Sequence, residues 1–241
     1  LHFACGESRA SLEIIELLLQ AYPAGVKEKS VESMLPLHLA AANRQPLNCI
    51  KKLVEAHPEA VSDRDRHSRM PLHHALERVA PDDVILYLLE QDRSTVKATG
   101  YYPHLPLHLA VEKNHSEDII IALLIAYAHQ QGGRGGSAGE KDMFGVLPLR
   151  RAIKSRASEG VIIALLRDYP DGAMDVDEYE RLALHYACGR KMSFDVINAL
   201  VRACPAAASV PDKNGQLPLH LSVMRAAEME VINLLLKDTP R

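Results

Sequence analysis

The sequence predicts an all-α solenoid, a single stack of helix-turn-helix repeats joined by short hairpin-like connectors. Three observations carry that prediction: a hexapeptide that returns at a near-constant interval, an apolar stripe that follows it at fixed offsets, and prolines and polar breakers at the boundaries. The hexapeptide reads Leu35-Pro36-Leu37-His38-Leu39-Ala40, and it recurs from Met70 to Ala75, from Leu105 to Ala110 and from Leu217 to Ser222. Weaker copies run from Leu147 to Ala152 and from Leu182 to Ala187, and the chain opens inside another at Leu1-His2-Phe3-Ala4. With the leucine before each histidine as anchor (Leu1, Leu37, Leu72, Leu107, Leu149, Leu184, Leu219), the spacings are 36, 35, 35, 42, 35 and 35. A period in this range marks stacked repeats, each too small to bury its own apolar face.

Each element of the unit can be justified in turn. The first helix opens with a proline in five copies (Pro36, Pro71, Pro106, Pro148, Pro218), where its missing N–H removes nothing. Its apolar stripe is the anchor, a small residue three places on (Ala4, Ala40, Ala75, Ala110, Ala152, Ala187, Ser222) and an apolar residue one further. Polar breakers such as Asn43-Arg44-Gln45-Pro46 then separate it from a second helix. There an isoleucine stands thirteen residues after every anchor, from Ile14 and Ile50 to Ile197 and Ile232, followed by pairs such as Leu17-Leu18 and Leu53-Val54. The 13/16/17 offsets are an i, i+3, i+4 stripe. Pro23, Pro58, Pro170, Pro205 and Pro240 close most second helices, because the residue before proline avoids the α region. The fourth unit is seven residues longer, with the excess placed in a Gly-rich insertion at 130–140 that lacks the Lys-Ser/Thr of a phosphate loop.

Pro-Leu-His-x-Ala at a first helix, followed by a second helix ending in paired leucines, resembles the ankyrin repeat. The resemblance extends over nearly the whole chain, as five complete and two partial units. It implies connectors built on an Asp with Gly three residues later, matched at Asp142/Gly145 and Asp212/Gly215, whereas Asp65 and Asp177 keep only the acid. It also implies that His2, His38, His73, His108, His185 and His220 hydrogen-bond backbone near the connectors, with Arg150 standing in that place in the fifth unit. Two departures are plain: the period is 35, and leucine or methionine replaces the threonine that would cap the first helix.

Composition narrows the functional classes. A net charge of -3 argues against non-specific binding to nucleic acid or an anionic membrane surface. No apolar run approaches the roughly 18 residues of a spanning helix. Cys5 and Cys188 share a small apolar position, and the four cysteines fit a reducing, intracellular setting, cytoplasmic or nuclear. Histidines spaced one per unit cannot assemble a four-ligand zinc site. His185 and Cys188 at i, i+3 are read as core packing, and no catalytic or dinucleotide motif is present. The expectation is a non-catalytic module with no cofactor and no metal. It would be one solenoid spanning 1–241, monomeric, and a segment of a longer protein, since neither end carries a polar capping unit.

What remains is a surface. The resemblance implies partner binding in a concave groove made of connector tips and the exposed ends of the first helices. Arg78, Lys113, Arg190 and Arg225 share one position in four units and would lay a basic stripe along that groove. Arg66, Arg69, Tyr101, Tyr102, Phe144 and Tyr179 fall at connector tips, and exposed aromatics with arginine favour binding hot spots. The expected function is that of a protein–protein interaction scaffold for a partner protein or peptide, with an acidic segment as the matching chemistry. The alternative is a regulatory repeat domain of a larger enzyme or channel.

Overall fold

In the computed structural model, the described residues are 1–6, 11–100, 104–130 and 136–238. Among them are fourteen α-helices and no strand. In chain order these are α1 (His2–Gly6), α2 (Leu12–Ala21), α3 (Pro36–Ala42), α4 (Leu47–Ala56), α5 (Pro71–Glu77), α6 (Asp82–Gln91) and α7 (Pro106–Glu112). There follow α8 (Glu117–Gln130), α9 (Pro148–Ser155), α10 (Glu159–Asp168), α11 (Ala183–Gly189), α12 (Phe194–Ala203), α13 (Pro218–Met224) and α14 (Met229–Asp238). Odd-numbered helices are the first helices of the repeats and even-numbered helices the second. The chain forms two compact units, Leu1–Gly132 and Gly133–Arg241, divided within the Gly-rich stretch. In the first, α1, α3, α5 and α7 pack in succession, as do α2, α4, α6 and α8; in the second, α9, α11 and α13 do so, as do α10, α12 and α14.

The core is the two stripes the sequence carries. Leu37, Leu72, Leu107, Leu149 and Leu184 are buried, and so are Ala40, Ala75, Ala110, Ala152, Ala187 and Ser222. A methyl or hydroxymethyl at that position lets neighbouring first helices approach, and stacking then buries leucines that contribute about 1.5–3 kcal/mol each. The N-cap residues Leu35, Met70, Leu147 and Leu182 are also buried, so the leucines that replace a capping threonine pack instead.

Each first helix from α3 to α13 ends in the same way. The residue seven after the anchor is left-handed: Arg44, Val79, Asn114, Arg156, Lys191 and Ala226, with φ between 50° and 58°. The N–H after it returns to the carbonyl of the small core residue, Gln45 to Ala40 at 3.0 Å, Ala80 to Ala75 at 2.9 Å and Met192 to Ala187 at 3.0 Å. This is the six-to-one bond of a Schellman motif, usually built on glycine. Here no glycine is used.

Second helices end where the prolines stand. Pro23, Pro58, Pro170 and Pro205 each open a short 3-10 turn, whose tight i to i+3 bonding turns the chain toward the connector. Pro240 lies outside the described residues. The longest second helix is α8, at 14 residues against ten for α4, α6, α10 and α12, so part of the fourth unit's excess is an extra helical turn rather than loop. Past the undescribed 131–135, Ser137–Gly139 form a 3-10 turn. The Ala138 N–H donates to Asp168 at 3.1 Å, which ties that turn to the end of α10.

One register expectation fails. In α2 the predicted stripe residues Ile14 and Leu17 are 46% and 63% exposed, while Ile15 is fully buried. The second-helix stripe is Ile15, Ile50, Ile85 and Ile120 at a uniform 35, so the extra residue of the opening 36-residue step lies between α1 and the α2 stripe. Counting from the anchor alone placed the stripe one residue, or about 100° of helix, too early.

Candidate functional surface

The connectors are built on an aspartate. Asp65 Oδ1 accepts the N–H groups of His67 (2.8 Å) and Arg69 (2.9 Å), closing an Asx-type turn. Asp142, Asp177 and Asp212 repeat this with Phe144/Val146, Tyr179/Arg181 and Asn214/Gln216. The left-handed residue of each turn is Ser68, Gly145, Glu180 or Gly215, so the connectors with only the acid make the same turn without glycine. Neighbouring tips bond to one another, Arg66 N–H to the Glu32 carbonyl at 2.9 Å and Lys213 N–H to the Tyr179 carbonyl at 3.0 Å.

The second carboxylate oxygen reaches the helix or connector behind the turn. Asp65 Oδ2 accepts from Arg69 Nε (3.1 Å) and pairs with His74 Nε2 (2.9 Å); Asp142 Oδ2 accepts from Arg151; Asp177 Oδ2 accepts from the Tyr186 hydroxyl; Asp212 Oδ2 accepts from Arg181 Nε (2.9 Å). Burial works against the charge of Asp65, yet the donors from Arg69, His74 and His67 hold its carboxyl below the usual carboxylate range. Tyr186 moves the other way: burial, then its bond to Asp177, push its phenol up to about 12.

The anchor histidines join one repeat to the next. His38, His73 and His185 accept at Nδ1 from the N–H of Leu35 (3.1 Å), Met70 (3.2 Å) and Leu182 (3.1 Å). Their Nε2 donates to connector carbonyls, Asp63 (3.1 Å), Ala98 (2.9 Å) and Gln216 (3.1 Å), and His2 Nε2 reaches Met34 (3.0 Å) in the same way. At His220 Nδ1 accepts from Leu217 at 2.8 Å. Arg150 takes over in the fifth unit, donating to the Val176 carbonyl (3.1 Å) and pairing with Asp175.

The predicted surface residues fall into two sets, one in each compact unit. In the first, Arg66 pairs with Glu32 (3.5 Å), and Arg69 is held between Asp65 (3.1 Å) and Glu77 (3.3 Å). Arg78 and Lys113 are the C-cap residues of α5 and α7, where cations complement the helix dipole, and neither has an ion pair among the described residues. Tyr101 and Tyr102 lie outside the described residues. In the second unit, Phe144 and Tyr179 stand two residues after the turn aspartates and are 65% and 54% exposed. Arg190 and Arg225, the C-caps of α11 and α13, line one recess of about 630 Å³ together with Arg156, Arg181 and Lys191. Sequence reasoning missed Arg156, Lys191 and Tyr186 in that recess: Arg156 and Lys191 hold the left-handed position past a first helix, which no glycine announces, and Tyr186 lies two residues after its anchor. Among the described residues no group of three or more His, Cys, Asp or Glu side chains is placed to hold a metal ion. Burial pushes the Cys188 thiol up to about 11, as befits a core residue. No described helix is long and apolar enough to cross a membrane.

Paired helices, Asx-turned connectors and histidines that bond across repeats give the chain the fold of an ankyrin-repeat solenoid, and ankyrin-repeat domains are generally protein–protein interaction modules. Residues 1–99 match the family model for ankyrin repeats in three copies. The ankyrin repeat domain of Bcl-3, a unique member of the IkappaB protein family, superposes with a TM-score of 0.66 at 24% identity, covering 97% of this chain and 96% of that one. The human ASB11 ankyrin repeat domain superposes with a TM-score of 0.66 at 20% identity, covering 100% of this chain and 97% of that one. At such identities the likeness is one of fold. No curated protein matches the chain in sequence.

Proposed function

We propose that the chain binds a partner protein through the C-terminal ends of its first helices and the tips of its connectors, with an acidic segment of the partner as the complementary chemistry. The observation that carries this reading is the state of four equivalent cations. Arg78, Lys113, Arg190 and Arg225 all cap first helices, and none has an ion pair among the described residues. Phe144 and Tyr179 add exposed aromatic area on connector tips, which supports a contact surface rather than a solvated edge. The array acts as a monomeric intracellular scaffold. Its four cysteines are free, three of them buried, which suits a reducing compartment.

The test is affinity capture from a lysate of source cells. Wild type is run beside a variant carrying Arg78→Glu, Lys113→Glu, Arg190→Glu and Arg225→Glu, after both are shown to melt alike. A protein recovered by wild type and lost from the variant supports the surface. Equal recovery by both moves binding to the outer helices.

A further inference from the structure

Five cationic side chains converge on one recess of the second unit, and its lining includes no carboxylate. Arg156, Arg181, Arg190, Lys191 and Arg225 line the space of about 630 Å³, with Tyr186 and Met224 beside them. Arg181 is fixed at its Nε by Asp212, at 2.9 Å. The other four have no ion pair among the described residues. Concentrating unpaired like charges costs Coulomb energy in a chain whose net charge is only -3.

In the first unit the counterpart of Arg181 is neutralised by an acid on the first helix. That counterpart, Arg69, is bridged by Glu77 at 3.3 Å. The residue matching Glu77 in the second unit's recess is Gly189, five after its anchor. Gly189 has ordinary helical backbone, and a Cβ there would meet only Leu221 Cδ1 at 4.0 Å, so no turn or close packing requires a glycine. Glycine also weakens a helix relative to alanine. Its effect is to leave the acid out and the recess open above the cations.

We propose that this recess is a phosphate-binding site that takes a phosphorylated serine or threonine of a partner protein, an assignment that rests on the interaction-module reading above. A phosphate brings close to two negative charges and three strong acceptor oxygens, and several guanidinium groups around one space can engage them together. A single carboxylate would neutralise one of the four unpaired cations. Met224 and Leu221 give the recess an apolar side, which suits the flanking peptide better than a bare polyanion.

The experiment is fluorescence anisotropy with three pools of labelled nine-residue peptides, randomised around a central phosphoserine, serine or glutamate. A single-stranded DNA oligonucleotide of matched charge forms a fourth arm, all at about 0.15 M salt, where charges beyond about 8 Å are screened. The expected result is at least about tenfold tighter binding of the phosphoserine pool than of the serine and glutamate pools. Gly189→Glu and Arg225→Gln should each reduce the phosphoserine pool to the serine level without lowering Tm. Arg202→Glu, on the exposed outer helix α12, should leave binding unchanged. The proposal is overturned if the phosphoserine pool binds no better than serine, if glutamate matches phosphoserine, or if the oligonucleotide binds more tightly than the phosphopeptides. Retained phosphoserine preference in Gly189→Glu overturns it as well. Equal binding of all three peptide pools, weakened alike by Gly189→Glu, removes the phosphate assignment while leaving the recess as a partner surface.

Discussion

His73 donates from Nε2 to the carbonyl of Ala98 at 2.9 Å, and so ties the third repeat to the connector of the fourth. Because its Nδ1 accepts from the Met70 N–H at 3.2 Å, the two bonds are made together only by a neutral ring with its proton on Nε2. Burial lowers the His73 pKa to about 4, and burial together with the nearby His74 lowers that of His38 to about 4. An unfolded histidine titrates near 6.5. Between those values the unfolded chain binds more protons than the folded one, so stability is complete above 6.5 and is lost as pH falls toward 4. Each unit between the two pKa values is worth about 1.4 kcal/mol. Thermal unfolding should show Tm falling between about pH 7 and pH 5. The fall should be shallower in His73→Gln, which titrates nothing there. A flat Tm over that range would contradict the tautomer assignment.

The fifth repeat makes the same link without a titrating ring. Arg150 is buried against Asp175 and the Val176 carbonyl, and Lys141 reaches the other Asp175 oxygen at 2.5 Å. Removing Asp175 leaves a buried guanidinium with only a carbonyl partner. Asp175→Ala should destabilise the second unit by about 3 kcal/mol. Denaturant unfolding measures it, and a loss below about 1 kcal/mol would show the pair to be solvated.

Much of this fold was legible because the repeat is written in local periodicity. The anchors, the small residues three places on and the first-helix prolines all fall where period and helix chemistry put them. The failures are also physical. Ile14 and Leu17 were expected inside because the count began at Leu1, whereas the second-helix isoleucines keep their own interval from Ile15. The end of each first helix was hidden because Val79, Lys191 and Ala226 hold a conformation that glycine would ordinarily announce. The basic position was legible, but whether a cation is free is decided by the acids that connector and first helix place beside it. Arg69 is spent on Asp65 and Glu77, while Arg190 faces the opening left by Gly189.

Val79 is the least suitable of those left-handed residues. It is β-branched, has φ 53° and is 41% exposed, so a smaller side chain forfeits little packing. The left-handed conformation costs an L-residue about 1–2 kcal/mol, part of which glycine returns as unfolded-chain entropy. Val79→Gly should therefore stabilise the first unit by about 0.5–1 kcal/mol. A lower midpoint in denaturant would show that its side chain matters more for packing than for strain.

Ala110 sits fully buried on α7, in the row of small residues along the stacked first helices. Adding an isobutyl group there must separate helices or force poor rotamers. Ala110→Leu should cost about 1–3 kcal/mol. An unchanged Tm would count against close stacking at that row.

The central claim is that partners bind on the first-helix ends and connector tips. Hydrogen exchange of the chain with and without a captured partner, read by mass spectrometry, tests it most directly. The account predicts new protection at the C-terminal ends of α5, α7, α11 or α13 and at the turns around Asp65, Asp142, Asp177 or Asp212. Protection confined to the exposed faces of α4, α6, α10 and α12 would contradict it.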